Sequence, residues 1–180
     1  MSEHVFPWIY AYTEDPTVGA KERLHRMGRL PLRPILTVTM VGPVGRQKTV
    51  GLVDSGSEHT LVGPWLARAT GCHPGPEDPE LEIGIGGRNR LVGFTDVTLE
   101  LSPPQPLSAQ PSWTWSAQVG IIDYWDPPWP MLLGQVGFFD QFTVTMNRHA
   151  QGLAVERLEE WDDRFGDQIR TAHDDWRFGH

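Results

Sequence analysis

The sequence has a single cysteine, Cys72, in 180 residues. One thiol permits no disulfide within the chain and no cysteine-built zinc site. It fits a reducing compartment. No apolar run approaches the about 20 residues that a membrane-spanning helix needs, so no membrane partner is expected. The opening "MSEHVFPWIYAYTEDP" lacks the basic start and apolar core of a secretion signal, and a cytoplasmic protein is the expectation. Positive charge is scarce: Lys and Arg number 15 against 23 Asp and Glu, for a formal charge of -8. Such a surface repels a phosphate backbone, so no nucleic-acid partner is expected. The seven histidines, at 4, 25, 59, 73, 149, 173 and 180, show no ligand-like pair. No metal and no other cofactor is expected.

Glycine and proline are plentiful, at 19 and 16, and they interrupt the chain every few residues. That favours short strands and turns over long helices. "PILTVTMV" from Pro34 and "KTVGLVD" from Lys48 read as a hairpin around the turn "GPVGRQ". Leu61 to Gly71 reads as a short helix, with Pro64 in its first turn and Gly71 at its end. "LEIGIGG" and "RLVGFTDVTLEL" are two strands around a glycine-rich tip, and "WTWSAQVGIID" is another strand after a proline-rich loop. "MLLGQVGFFDQF" begins as a buried strand, breaks at Gly134 and reads on into a short helical turn. "FTVTMN" and "GLAVERL" close as a hairpin. The pattern is all-β, a barrel or sandwich of short strands.

The two ends differ from this middle. Residues 1–33 read as an N-terminal extension or arm, with Val5 to Tyr12 a strand or an extended arm and Gly19 to Met27 weakly helical. In residues 156–180, Leu158, Trp161, Phe165, Ile169, Ala172 and Trp176 recur at steps of three and four, an amphipathic helix. Packing on its own domain is the simpler use of that stripe, and pairing with a partner is the alternative.

Asp54 carries the chemical interest. It follows an apolar strand in "GLVDSGSEHTLV". A carboxylate leaving a buried strand must be hydrogen-bonded or paired. Ser55, Ser57 and the Gly56 N–H are the donors at hand. Alone, Asp-Ser-Gly is as readily an ordinary turn. Two further features join it: the tip "IGIGG", Ile83 to Gly87, and "MLLG", where an apolar strand stops at a glycine. Each has a plain reading by itself, as a hairpin turn and as a strand end.

In this order and spacing, the three resemble the retroviral-type aspartic proteases, or retropepsins, over residues 34–155. "RPILTVTM" is similar to the family's first core strand and "LVDSGSEHTLV" to its catalytic loop. "IGIGG" is similar to its flap, and "MLLGQVGFFDQFTV" to the apolar-apolar-Gly segment that follows. The resemblance implies a closed barrel with one or two short helices, in addition to the C-terminal amphipathic helix. It implies Asp54 as the catalytic residue, supported by Ser55, Gly56 and Ser57. It implies a flap of Ile83, Gly84, Ile85, Gly86 and Gly87 closing over an extended polypeptide substrate. Two carboxylates sharing one proton can activate water and protonate the leaving amine. The chain has one Asp-Ser-Gly; Asp123 and Asp140 lack the small residue and glycine that should follow. The resemblance therefore implies a homodimer in which two copies of Asp54 meet.

Ser57 stands where viral members usually carry Ala, and a hydroxyl donated to Asp54 would give an acid-shifted optimum. Gln135 stands where many of them have an Arg that braces the loop through an acid, the position here of Glu58. A binding or assembly module of the same fold, without efficient proteolysis, is the alternative function. Ser55 and Ser57 lack a nucleophile elbow, which argues against a serine hydrolase. His59 reads as a surface histidine beside the loop.

Overall fold

The computed structural model describes residues 7–15, 31–75, 80–85, 87–105, 107–122 and 129–178. The segment 19–27 and most of the turn after Ile122 fall outside them. Near the N-terminus come three short strands, β1 (Trp8–Ala11), β2 (Thr13–Glu14) and β3 (Leu32–Arg33). The expected hairpin follows as β4 (Ile35–Val41) and β5 (Arg46–Val53). Next are β6 (Leu61–Val62), helix α1 (Pro64–Thr70), β7 (Glu80–Ile85), β8 (Arg88–Leu101) and β9 (Trp113–Ile121). The chain ends with β10 (Met131–Leu133), β11 (Phe142–Asn147), β12 (Gly152–Arg157) and helix α2 (Leu158–Phe178).

Six strands close into a barrel in the order β4-β5-β10-β6-β9-β8, with β8 pairing back to β4. The closing register sets Val38 opposite Leu101 and Met40 opposite Leu99, and all four are 0% exposed. Closure pairs each of these strands on both sides for at least part of its length. Other inward residues include Leu36, Val62, Val119, Met131 and Leu133, again 0% exposed. Each such side chain contributes about 1.5–3 kcal/mol by leaving water. The three-residue β10 lies parallel to β5 and antiparallel to β6. It brings Leu133 beside Val53, the residue before Asp54. Among the described residues strand β7 pairs only with β8, so the two run beyond the ring as a hairpin.

A second sheet, ordered β1-β12-β11, shares the barrel's core through Trp8, Phe142, Leu153 and Val155. Trp8 is 0% exposed and stacks on Trp113 at 4.6 Å. Its ring N–H donates to Gln110 Oε1 at 3.2 Å. Of the two readings of Val5 to Tyr12, the strand is the one that forms, over Trp8–Ala11, anchored in the core by Trp8.

Helix α1 is framed as its ends suggest: Pro64 fills the first turn, and Gly71 closes it at φ 72°. Leu61 and Val62, read as helical, instead form β6. Helix α2 starts at Leu158 because Glu156 and Arg157 complete β12. The helical turn expected after Gly134 forms as a single turn, in which Phe138 O accepts from Gln141 N–H at 3.0 Å and Phe142 N–H at 3.1 Å. Phe139 N–H and Asp140 N–H reach five residues back, to Gly134 O and Gln135 O at 3.1 Å each. Gly137, at φ 92°, keeps the turn from reaching back to Gly134 as a regular helix. Among the described residues no helix is long and apolar enough to cross a membrane.

Candidate functional site

Asp54 leaves the barrel where β5 ends. Its N–H donates to Leu133 O at 3.0 Å, prolonging the β5–β10 pairing by one bond. The chain then turns sharply, with Ser57 N–H donating to Asp54 O at 3.1 Å. Within the turn Gly56 N–H donates to Asp54 Oδ1 at 3.0 Å, one of the donors expected for this carboxylate. Asp54 is half-buried, while Ser55 and Gly56 are exposed. The carboxylate therefore lies at the rim of the barrel, where its second oxygen can meet a ligand.

Residues 57–60 lock onto 134–136. Gln135 N–H donates to Ser57 O at 2.9 Å, Val136 N–H to Glu58 O at 2.8 Å, and Thr60 N–H to Val136 O at 2.8 Å. The buried Thr60 hydroxyl accepts from Gly134 N–H at 3.1 Å. Gly134 is required by this closeness: a Cβ there would stand 2.3 Å from His59 O and 2.8 Å from Ser57 O. The glycine that ends "MLLG" is the point where one backbone passes against another.

Two side chains depart from the sequence reading. Ser57 does not donate to Asp54. Its Oγ donates to His59 O at 2.7 Å, and a hydroxyl has one proton to give. The acid shift expected from Ser57 loses its basis. His59 is not a surface residue: its side chain is 15% exposed and its ring meets Phe94 edge-on at 4.7 Å. Nothing in the local sequence marks this, because Phe94 comes from the distant β8.

Sequence reasoning also missed what Gln135 does. Its Nε2 donates to Ser55 O at 2.9 Å, so it fastens the loop at the residue after Asp54. Glu58 takes no part in this brace; its exposed carboxylate lies 4.0 Å from His59 Nε2. Asp140 Oδ2 accepts Gly137 N–H at 3.1 Å and caps its own turn. Asp123 lies outside the described residues.

The hairpin β7–β8 pairs Ile83 with Arg90, Gly84 with Asn89 and Ile85 with Arg88. Gly87 has φ 75°, which only glycine adopts freely. A Cβ at Gly84 would meet nothing within 4 Å, so packing does not demand glycine there. The backbone is bare on that side and open to another chain. Gly86 lies outside the described residues. Ile83 and Leu132 pack on a small cluster of Leu61, Val92, Phe94 and Ile122. Through His59 on Phe94, this cluster joins the base of the hairpin to the Asp54 loop.

The site thus offers one rim carboxylate on a braced loop, with a glycine-rich hairpin rooted in the same cluster. Held alone, this carboxylate can accept a proton or donate one, but not both in one step. No protein-family model matches the chain, and no curated protein matches it.

Proposed function

We propose that the chain is a retropepsin-type aspartic endopeptidase that hydrolyses peptide bonds in extended polypeptide segments. Asp54 and its copy in a second protomer form the dyad. The observation that carries this reading is the placement of Asp54. It stands at a strand end, in a turn closed by Gly56 N–H onto its Oδ1, against a strand that stops at Gly134. The bare backbone of the β7–β8 tip supports the role of a flap that lies along a substrate strand.

In this reading the ionised Asp54 of the pair takes a proton from water. The water oxygen bonds to the peptide carbonyl carbon. The protonated Asp54 hydrogen-bonds the carbonyl oxygen, then protonates the nitrogen as the C–N bond breaks. Ser55, exposed beside Asp54, steadies the two loops across the dimer, and Gly56 presents its carbonyl to the substrate. A cytoplasmic setting suits the buried free thiol of Cys72.

The test is cleavage of an unstructured protein by the full chain, with pepstatin sensitivity. Asp54→Asn should abolish cleavage and keep the fold, since Asn Oδ1 still accepts from Gly56. A monomer at micromolar concentration with cleavage intact sinks the shared dyad. A second reading, a binding module without proteolysis, rests on the single Asp54 per chain. A dimer that binds peptides and cuts none would favour it.

A further inference from the structure

Most arginines placed here by a salt bridge have an obvious acid. Arg33 meets Asp15, Arg46 meets Glu100, Arg157 meets Glu159, Arg164 meets Glu156 and Arg170 meets Asp167. Arg90 has none among the described residues. Its Nε is shut off from water and has no hydrogen-bond partner. Lys48, Arg68 and Arg148 also lack an acid among the described residues, but all three are exposed, whereas Arg90 carries a buried nitrogen without a partner.

Its position gives the explanation. Directly opposed residues of an antiparallel pair share a face, and Arg90 opposes Ile83. Ile83 packs on the cluster of Leu61, Val92, Phe94 and Ile122. Arg90 therefore lies on the hairpin face turned towards that cluster, while Glu82 and Leu91 share the other face and are exposed. Leu61 comes two residues after His59. Leu132, on the same cluster, precedes the Leu133 whose carbonyl accepts from Asp54. The hairpin face bearing Arg90 is thus the one rooted beside the Asp54 loop. Arg90 as a whole is only half-buried, so its guanidinium end is within reach of a ligand.

A guanidinium N–H without an acceptor is costly, and a carboxylate matches its fork with two parallel hydrogen bonds. We infer that Arg90 receives the side-chain carboxylate of an acidic residue in the bound polypeptide, so that the cleft prefers substrates with Glu or Asp near the scissile bond. This rests on the endopeptidase reading above and names its substrate class. The net negative chain repels such a peptide at long range, so the recognition is short-range.

The test uses matched peptides with blocked ends that carry Glu or Gln at one position at a time. A parallel set with free C-termini separates a chain-end carboxylate from a side-chain one. Cleavage is measured with the full-length wild type, and binding with the full-length Asp54→Asn protein. One position should favour Glu by about tenfold or more, mainly in KM. The preference should shrink with salt. Arg90→Gln should bring the Glu/Gln ratio to about one, and Arg90→Lys, which keeps charge without the fork, should retain part of it. Melting curves check that both variants fold. The inference falls if no position prefers Glu, if the preference survives Arg90→Gln, if only free C-termini matter, or if no peptide binds. Cleavage without acid preference leaves the protease reading standing alone. Arg90-dependent binding without cleavage leaves the acidic-peptide site and removes the protease.

Discussion

Gln135 Nε2 donates a hydrogen bond to the carbonyl oxygen of Ser55 at 2.9 Å, across 80 residues of sequence. The bond ties the strand that stops at Gly134 to the loop that carries Asp54. Gln135 is exposed, so the bond adds little to folding, about 0.5–1.5 kcal/mol or less. Its effect is on position. Small misplacement of a reacting group costs up to about a hundredfold in rate. Gln135→Ala should lower kcat of the proposed cleavage about tenfold, with little change in melting temperature. Gln135→Glu should do at least as much near neutral pH, since a carboxylate offers Ser55 O no proton. Equal kcat in all three proteins would show that the brace is idle.

Ser57→Ala should leave the pH profile of cleavage where it is. The Ser57 hydroxyl spends its proton on His59 O, so its removal takes no donor from Asp54. The cost should appear in stability instead, at about 1 kcal/mol for the lost bond to a half-buried carbonyl. For a chain of this size that is about 2–4 °C in melting temperature. A moved pH optimum with unchanged melting would reverse the assignment.

Much of the barrel was legible because its signals are local. Alternation in Pro34 to Val41 and the glycine-rich tip after Ile83 mark strands and a hairpin on their own. Gly134 was legible as a stop but not as a necessity. What makes it necessary, the His59 carbonyl, lies 75 positions away and is set by the fold. The setting of Trp8 was not legible for the same reason. Nothing near it in sequence announces that Trp113 will stack on it. At the site, the bond from Gly56 to Asp54 follows from neighbours in sequence, whereas the partners of Ser57 and Gln135 are choices among several acceptors that only the folded backbone decides.

Tyr10 gives a prediction about alkaline pH. Burial pushes its phenol well above the usual tyrosine range, and its hydroxyl donates to Ser102 O at 2.8 Å. Above about pH 10 the unfolded chain loses this proton and the folded chain keeps it. Unfolding then releases a proton, so the contribution, fully present below about pH 10, is lost as pH rises towards the folded pKa. The slope is at most about 1.4 kcal/mol per pH unit. Tyr10→Phe should be less stable at neutral pH by about 0.5–1.5 kcal/mol, yet decline less steeply above pH 10. Melting temperatures from pH 8 to 11 would show it, and parallel declines in the two proteins would refute it.

The shared dyad makes a prediction that no single-chain mechanism shares. If each active unit needs Asp54 from two protomers, a chain carrying Asp54→Asn should poison its partner. Wild type allowed to exchange subunits with an equal amount of Asp54→Asn finds a wild-type partner in about half of its pairings. Activity per wild-type chain should then fall to about half, and further as the variant is added in excess. A catalytic unit complete in one chain would keep its activity per wild-type chain at every ratio. Arg90→Gln mixed in the same way should behave differently. Its pairs keep both carboxylates, so mixing should weaken the preference for an acidic residue without removing turnover. The two titrations together separate the residue assigned to the chemistry from the one assigned to the choice of substrate.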